Sequence, residues 1–258
     1  MFLNYLNIIN KILVKIYKEI IMISITADQM KLVDELAVNK YNILLDEMME
    51  LAGYHLMELA YTIMEKSLKN KKIVVLAGNG NNGGGGLVAA RHLHNRGADV
   101  HIILSAGTGL KAAVKGRLKT LKELQLPTMH YKREDDSSKL LDEAHLIIDA
   151  LIGYGLNSDP KYPISQLIDH VNNSGSIVLS LDVPTGIDST EGNIYNKCIR
   201  ADHTMTLALP KQGLLKENAR SYIGSLYLAD IGIPGELYKE LGLDIENIFQ
   251  NGNIIKLI

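Results

Sequence analysis

The sequence predicts an α/β chain with a Rossmann-like three-layer α/β/α fold and a mostly parallel central sheet. Three observations predict it. Apolar, β-branched runs recur along the chain without the polar alternation of a half-exposed strand, as parallel strands covered on both faces require. Stretches with helical apolar spacing lie between those runs. The run Val74-Val75-Leu76-Ala77 stops at Gly78 and passes through a glycine-rich turn into a helix-forming segment. No Pro-, Gly- or Ser-rich linker and no internal repeat divides the 258 residues, a length that fits one large α/β domain, so residues 22–258 are expected to form a single domain.

Residues 1–21 differ in texture and are expected to be an upstream extension without a catalytic role. Lys11, Lys15 and Lys18 interrupt their apolar run, which argues against a signal peptide or a membrane span. A helix follows Thr26, with Met30, Val33 and Leu36 at helical spacing. A longer helix is predicted over 42–69, its Met48, Met49, Met57 and Met64 serving as packing residues. After the glycine loop, Leu87 to Arg96 reads as a helix closed by Gly97. Strand Val100–Leu104, helix Lys111–Leu124, strand Ala144–Asp149, helix Ile164–Asn172 and strand Ile177–Asp182 follow. His203–Leu209 and Ser225–Asp230 complete the predicted strands.

The formal net charge of −2 carries no basic bias, and no basic stripe with interleaved aromatics is present, so nucleic acid is not an expected partner. Cys198 is the single cysteine, which excludes an intramolecular disulfide and points to a reducing, cytoplasmic setting.

The segment Gly78-Asn79-Gly80-Asn81-Asn82-Gly83-Gly84-Gly85-Gly86 offers backbone N–H groups and a positive helix end, which suit an anion. It is not a P-loop, because Gly85-Gly86-Leu87 stands where Gly-Lys-Ser/Thr is needed. A dehydrogenase would carry an acidic residue at the end of the next strand, and Leu104-Ser105-Ala106-Gly107 has none. Two more strands end in aspartates, Asp149 and Asp182, each followed by a glycine-punctuated loop. Ligands of open α/β sheets bind outside the carboxyl ends of strands, so the glycine loop and both aspartates converge on one rim.

These pieces resemble the YjeF N-terminal domain family, the NAD(P)H-hydrate epimerases. The matching motifs are the glycine loop, Ala89-Ala90-Arg91-His92-Leu93, Asp149-Ala-Leu-Ile-Gly-Tyr-Gly-Leu156, Asp182-Val-Pro-Thr-Gly-Ile-Asp188, Ala201-Asp-His-Thr204 and Pro210-Lys-Gln-Gly213. They stand in the family's order, and the resemblance as a whole runs from about Ile25 to Pro234. The resemblance implies an isomerase that interconverts the epimers of hydrated NADH or NADPH, so that a dehydratase can repair them. It implies that Asn81, Asn82, Gly83, Gly84 and Gly85 line the hydrated nucleotide, with Gly153, Tyr154, Gly155, Leu156, Asn157, Ser158 and Asp159 opposite and Asp182 in contact. A potassium ion (K+) would be held by Asn82, Asp149 and Thr185, whose amide, carboxylate and hydroxyl oxygens are ligands for a hard cation.

The chain departs from the family at Gly85, where Gly-Gly-Asp-Gly is usual, and at Thr185, where serine is usual. Asp149, bound to the ion, would be held ionised, so Asp182 is the expected catalytic acid/base. Lys211 is read as a phosphate contact or a solvated loop lysine. The dehydratase is expected to be a separate protein, and the assembly a homodimer. Two other readings stay open: a non-catalytic nucleotide-binding or scaffold descendant, and a sugar-nucleotide or adenosine-phosphate binder sharing only the fold.

Overall fold

The described residues of the computed structural model are 23–105, 108–132, 137–243, 245 and 248–258, and the extension at 1–21 lies outside them. Helix α1 (Ala27–Asn39) starts at a capping box: Thr26 Oγ1 accepts the Gln29 N–H at 3.1 Å, and Gln29 Oε1 accepts the Thr26 N–H at 2.9 Å. Its Met30, Val33 and Ala37 face inward. Helix α2 (Leu45–Ile63) is shorter than the expected 42–69, because Glu65 and Lys66 take left-handed φ values of 55° and 60° and end it. All four of its expected packing methionines are buried.

Strand β1 (Lys72–Ala77) is buried on both faces, with Ile73, Val75 and Ala77 in one core and Val74 and Leu76 in the other. This two-residue alternation between two apolar cores is why its sequence shows no polar period. Helix α3 (Asn81–Asn95) begins six residues before the predicted Leu87, so the glycines 83–86 are helical and do not form a loop. Close packing outweighs their poor helix propensity. A Cβ on Gly83 would stand 2.0 Å from the Gly78 carbonyl oxygen, and one on Gly86 would stand 2.5 Å from Ala150 Cβ.

Then come β2 (Asp99–Leu104), α4 (Ala112–Glu123), β3 (Thr128–His130), α5 (Ser137–Asp142), β4 (Leu146–Ala150), α6 (Ile164–Asn173), β5 (Ile177–Leu181) and β6 (His203–Leu207). Two 3₁₀ turns, α7 (Arg220–Ile223), β7 (Ser225–Ala229), α8 (Gly235–Glu240) and β8 (Ile254–Lys256) complete the chain. The eight strands form one sheet in the order β3-β2-β1-β4-β5-β6-β7-β8. Every neighbouring pair is parallel except β7 and β8. The three-layer, mostly parallel expectation therefore holds, with β3 and β8 added at the edges. The chain runs outward from β1 through β2 to β3, then returns to β4 beside β1. That reversal opens a crevice between the carboxyl ends of β1 and β4.

Candidate active site

A cavity of about 740 Å³ occupies this crevice. Turns after β1, β4, β5 and β6 form its base, and α1 and α2 form its wall. Of the expected residues, Asn81, Asn82, Gly85, Gly153, Tyr154, Gly155 and Asp182 line it. Gly83 and Gly84 are buried inside the first turns of α3, whereas Asn157, Ser158 and Asp159 are exposed and lead away. Leu156 is half-buried beside them, and Asp159 Oδ1 accepts the Asn196 N–H at 2.9 Å. Met30, Met48 and Met49 give the far wall an apolar surface.

The loop leaving β1 is pinned by Asn79, whose Oδ1 accepts the Lys111 N–H at 2.8 Å while its amide donates to the Gly109 carbonyl at 3.1 Å. With Gly80 as N-cap, the backbone N–H groups of the first turn of α3 have no intrahelical acceptor, and Gly80, Asn81 and Asn82 line the cavity. An anion placed there meets the positive end of the helix.

Asp182, the first residue after β5, is 3% exposed and has a left-handed φ of 68°. Its N–H donates to the Met205 carbonyl at 2.7 Å, which fixes the turn. Non-glycine residues held in this region of φ concentrate at functional sites. Asp182 Oδ2 accepts the Tyr154 N–H at 2.8 Å, and Oδ1 lies 2.5 Å from Lys211 Nζ. Lys211 is 1% exposed and borders the cavity, so of the two expectations for it, the solvated loop lysine does not hold. Its ammonium also donates to the Leu207 carbonyl at 2.8 Å and lies 5.8 Å from the centre of the Tyr154 ring. The Tyr154 hydroxyl in turn donates to Asp34 Oδ2 at 2.6 Å. Burial pushes both the Asp34 carboxyl and the Tyr154 phenol above their ordinary values.

Beneath this layer lie Asp149 and Thr185, both fully buried and off the cavity surface. Asp149 accepts the Thr185 N–H at 2.9 Å, the Thr185 hydroxyl at 2.8 Å, the Ser180 hydroxyl at 2.9 Å and the Leu151 N–H at 3.2 Å. Burial raises its carboxyl, and no basic side chain among the described residues pairs with it. Asn82 Nδ2 is buried without a hydrogen-bond partner. Gly153 separates Asn82 from Asp182: a Cβ there would stand 2.7 Å from Asp182 Oδ2 and 3.2 Å from Asn82 Oδ1.

Sequence reasoning placed Asp182 and the α3 end at the site but missed Asp34 and the burial of Lys211. Asp34 sits on α1 beside the inward Val33, at the boundary of the apolar stripe, where an acidic residue normally meets water. A lysine in a turn reads as solvated for the same reason.

The pattern of the YjeF-related protein N-terminus family matches residues 45–213. The chain is 39% identical over 234 residues to the NAD(P)H-hydrate epimerase of Dehalogenimonas lykanthroporepellens, across 90% of this chain and 92% of that one. An NAD(P)H-hydrate epimerase of Elusimicrobium minutum is 31% identical over 223 residues, covering 85% of this chain and all of its own. The bifunctional NAD(P)H-hydrate repair enzyme of Moorella thermoacetica is 36% identical over 225 residues; the match covers 84% of this chain but only 42% of that one. Among solved structures, the crystal structure of a yeast protein superposes with a TM-score of 0.79 over 90% of this chain and 99% of its own, at 23% identity. This last likeness concerns the fold. On the sequence matches, the chain belongs to the family of YjeF-related protein N-terminal domains.

Proposed function

We propose that this chain is an NAD(P)H-hydrate epimerase, an isomerase acting on the hydrated forms of NADH and NADPH. One observation carries the reading: the open N-terminal turn of α3 and the buried Asp182–Lys211 pair meet in one cavity at the sheet's switch point. A nucleotide pyrophosphate suits the first, and a reaction that moves protons suits the second. The relatives named as epimerases supply the substrate.

The reacting atom is the carbinolamine carbon of the hydrated nicotinamide ring. Inverting it needs reversible loss of the hydroxyl or reversible ring opening, and both routes need an acid and a base. Asp182 acts as the acid/base, positioned by the Tyr154 N–H and the Lys211 ammonium. The N–H groups at Asn81 and Asn82 take the pyrophosphate. Gly153, Tyr154 and Gly155 border the nucleotide from the opposite turn.

The oxygens of Asp149 and Thr185 and the Asn82 amide oxygen are of the kind that would hold a potassium ion, whereas the unpartnered Asn82 Nδ2 is a donor and would not. When bound, the ion would offset the charge of the Asp149 carboxylate and of the approaching pyrophosphate. The enzyme works in the cytoplasm as a homodimer, upstream of a dehydratase; light scattering tests the dimer. The lone Cys198 supports the compartment. No helix among the described residues is long and apolar enough to cross a membrane.

Racemised hydrated NADH, supplied with a dehydratase specific for one epimer, tests the function. With this chain present, all of the hydrate is converted to NADH. If conversion stops at half while the hydrate still binds, the chain is a non-catalytic nucleotide-binding descendant, a reading that Gly85 favours because no carboxylate stands at that point of the cavity lining.

A further inference from the structure

Tyr154 ties two carboxylates of the cavity together. Its backbone N–H bonds Asp182 Oδ2 at 2.8 Å, and its hydroxyl bonds Asp34 Oδ2 at 2.6 Å. Asp182 comes from the turn after β5, and Asp34 from α1, which forms part of the cavity wall. Both line the cavity. Their surroundings differ in sign. Asp182 is paired with the Lys211 ammonium, whereas Asp34 has no cation at bonding distance among the described residues. Tyr154 bonds Asp34 through Oδ2, and Asp34 lines the cavity, where a ligand can meet its carboxyl group.

We propose that Asp34 is the second proton-transfer group of the site, acting as the acid while Asp182 acts as the base, with Tyr154 as its positioning residue. The assignment rests on the hydrate-epimerase reading. Two carboxylates whose environments set them apart are the arrangement in which one donates and the other accepts. Burial raises the Asp34 carboxyl, in the direction that keeps a proton on it.

The chemistry balances through ring opening. Asp182 takes the proton of the carbinolamine hydroxyl. The carbon–oxygen bond becomes a carbonyl as the carbon–nitrogen bond breaks, and its electron pair goes to the ring nitrogen. That nitrogen takes the Asp34 proton, leaving an open-chain amine and an aldehyde. Rotation beside the aldehyde carbon presents its other face. The nitrogen then re-adds and returns its proton to Asp34, while the new alkoxide takes the proton held by Asp182. Both groups end as they began, and no further reactant is consumed.

The charged and titratable groups around Asp34 are Tyr154, Asp182 and Lys211 from the strand turns, Tyr238 from α8, and Lys31 and Glu35 on its own helix. An acid must hold its proton, so turnover declines as pH rises through the Asp34 pKa. The Tyr154 hydrogen bond lowers that pKa, and removing it moves the decline to higher pH.

The test measures epimerase kcat and KM against pH for wild type, Asp34→Asn and Tyr154→Phe, with melting curves for each. Asp34→Asn is expected to lose about a hundredfold or more in kcat, the scale of a lost general acid, with KM little changed. Tyr154→Phe is expected to keep measurable turnover, with its alkaline limb displaced upward. Wild-type turnover together with an unchanged rate in folded Asp34→Asn, or an unmoved limb in Tyr154→Phe, overturns the assignment. The Tyr154→Phe arm decides the matter if Asp34→Asn does not fold. An inert wild type instead overturns the epimerase reading on which the assignment rests.

Discussion

Lys211 Nζ lies 2.5 Å from Asp182 Oδ1, and the two side chains are 1% and 5% exposed. Neither charge has bulk water to fall back on. Removing one partner of a buried pair costs far more than the pair's net contribution, because the other charge stays buried and uncompensated.

Lys211→Met is therefore expected to lower the unfolding free energy by about 3–5 kcal/mol. Adding Asp182→Asn to it should recover part of that loss, since no lone charge then remains. Denaturant unfolding of both single variants and the double variant measures the coupling. Strictly additive losses would mean that the pair does not interact as described.

Gly78, buried just after β1, and Gly85, in the cavity lining, predict opposite outcomes. A Cβ on Gly78 would stand 1.7 Å from the Leu151 carbonyl oxygen, so Gly78→Ala must move backbone and should cost about 3 kcal/mol. At Gly85 the nearest atom to a Cβ is Leu181 Cδ2 at 3.1 Å, the end of a flexible side chain. Gly85→Asp should therefore fold with a melting curve close to wild type. Its carboxylate would enter the cavity lining, and epimerase turnover should rise. A large loss of stability in Gly85→Asp would show that the α3–β5 contact has no slack.

Asp149→Asn removes the formal negative charge from the proposed potassium ligands. A ligand that binds only the folded state raises stability by mass action. Potassium should raise the melting temperature of wild type more than that of Asp149→Asn, with sodium as the comparison. Equal responses in the two proteins would remove Asp149 from the ion site.

Much of this architecture was legible in sequence, because long apolar strands advertise burial on both faces. β1, β4 and β5 could be read in this way, and Asp149 and Asp182 fell at the carboxyl end of the sheet as expected. The early start of α3 could not be read. A run of four glycines has poor helix propensity, and only the packing against Gly78 and Ala150 explains why it is helical. β3 and β8 are three residues each, too short to show a period. The partners of Asp34 and Lys211 were invisible for a different reason. Tyr154 and Asp34 are 120 residues apart, and only the completed sheet brings them together.

The central claim is that this cavity inverts the carbinolamine carbon. Proton NMR of one isolated epimer of hydrated NADH, incubated with wild type or Asp182→Asn and no second enzyme, tests it most directly. Wild type is expected to drive the single set of resonances to an equilibrium mixture of both epimers. Asp182→Asn should do so at least about a hundredfold more slowly. A wild-type spectrum that stays that of the starting epimer, at the rate of the uncatalysed control, would contradict it.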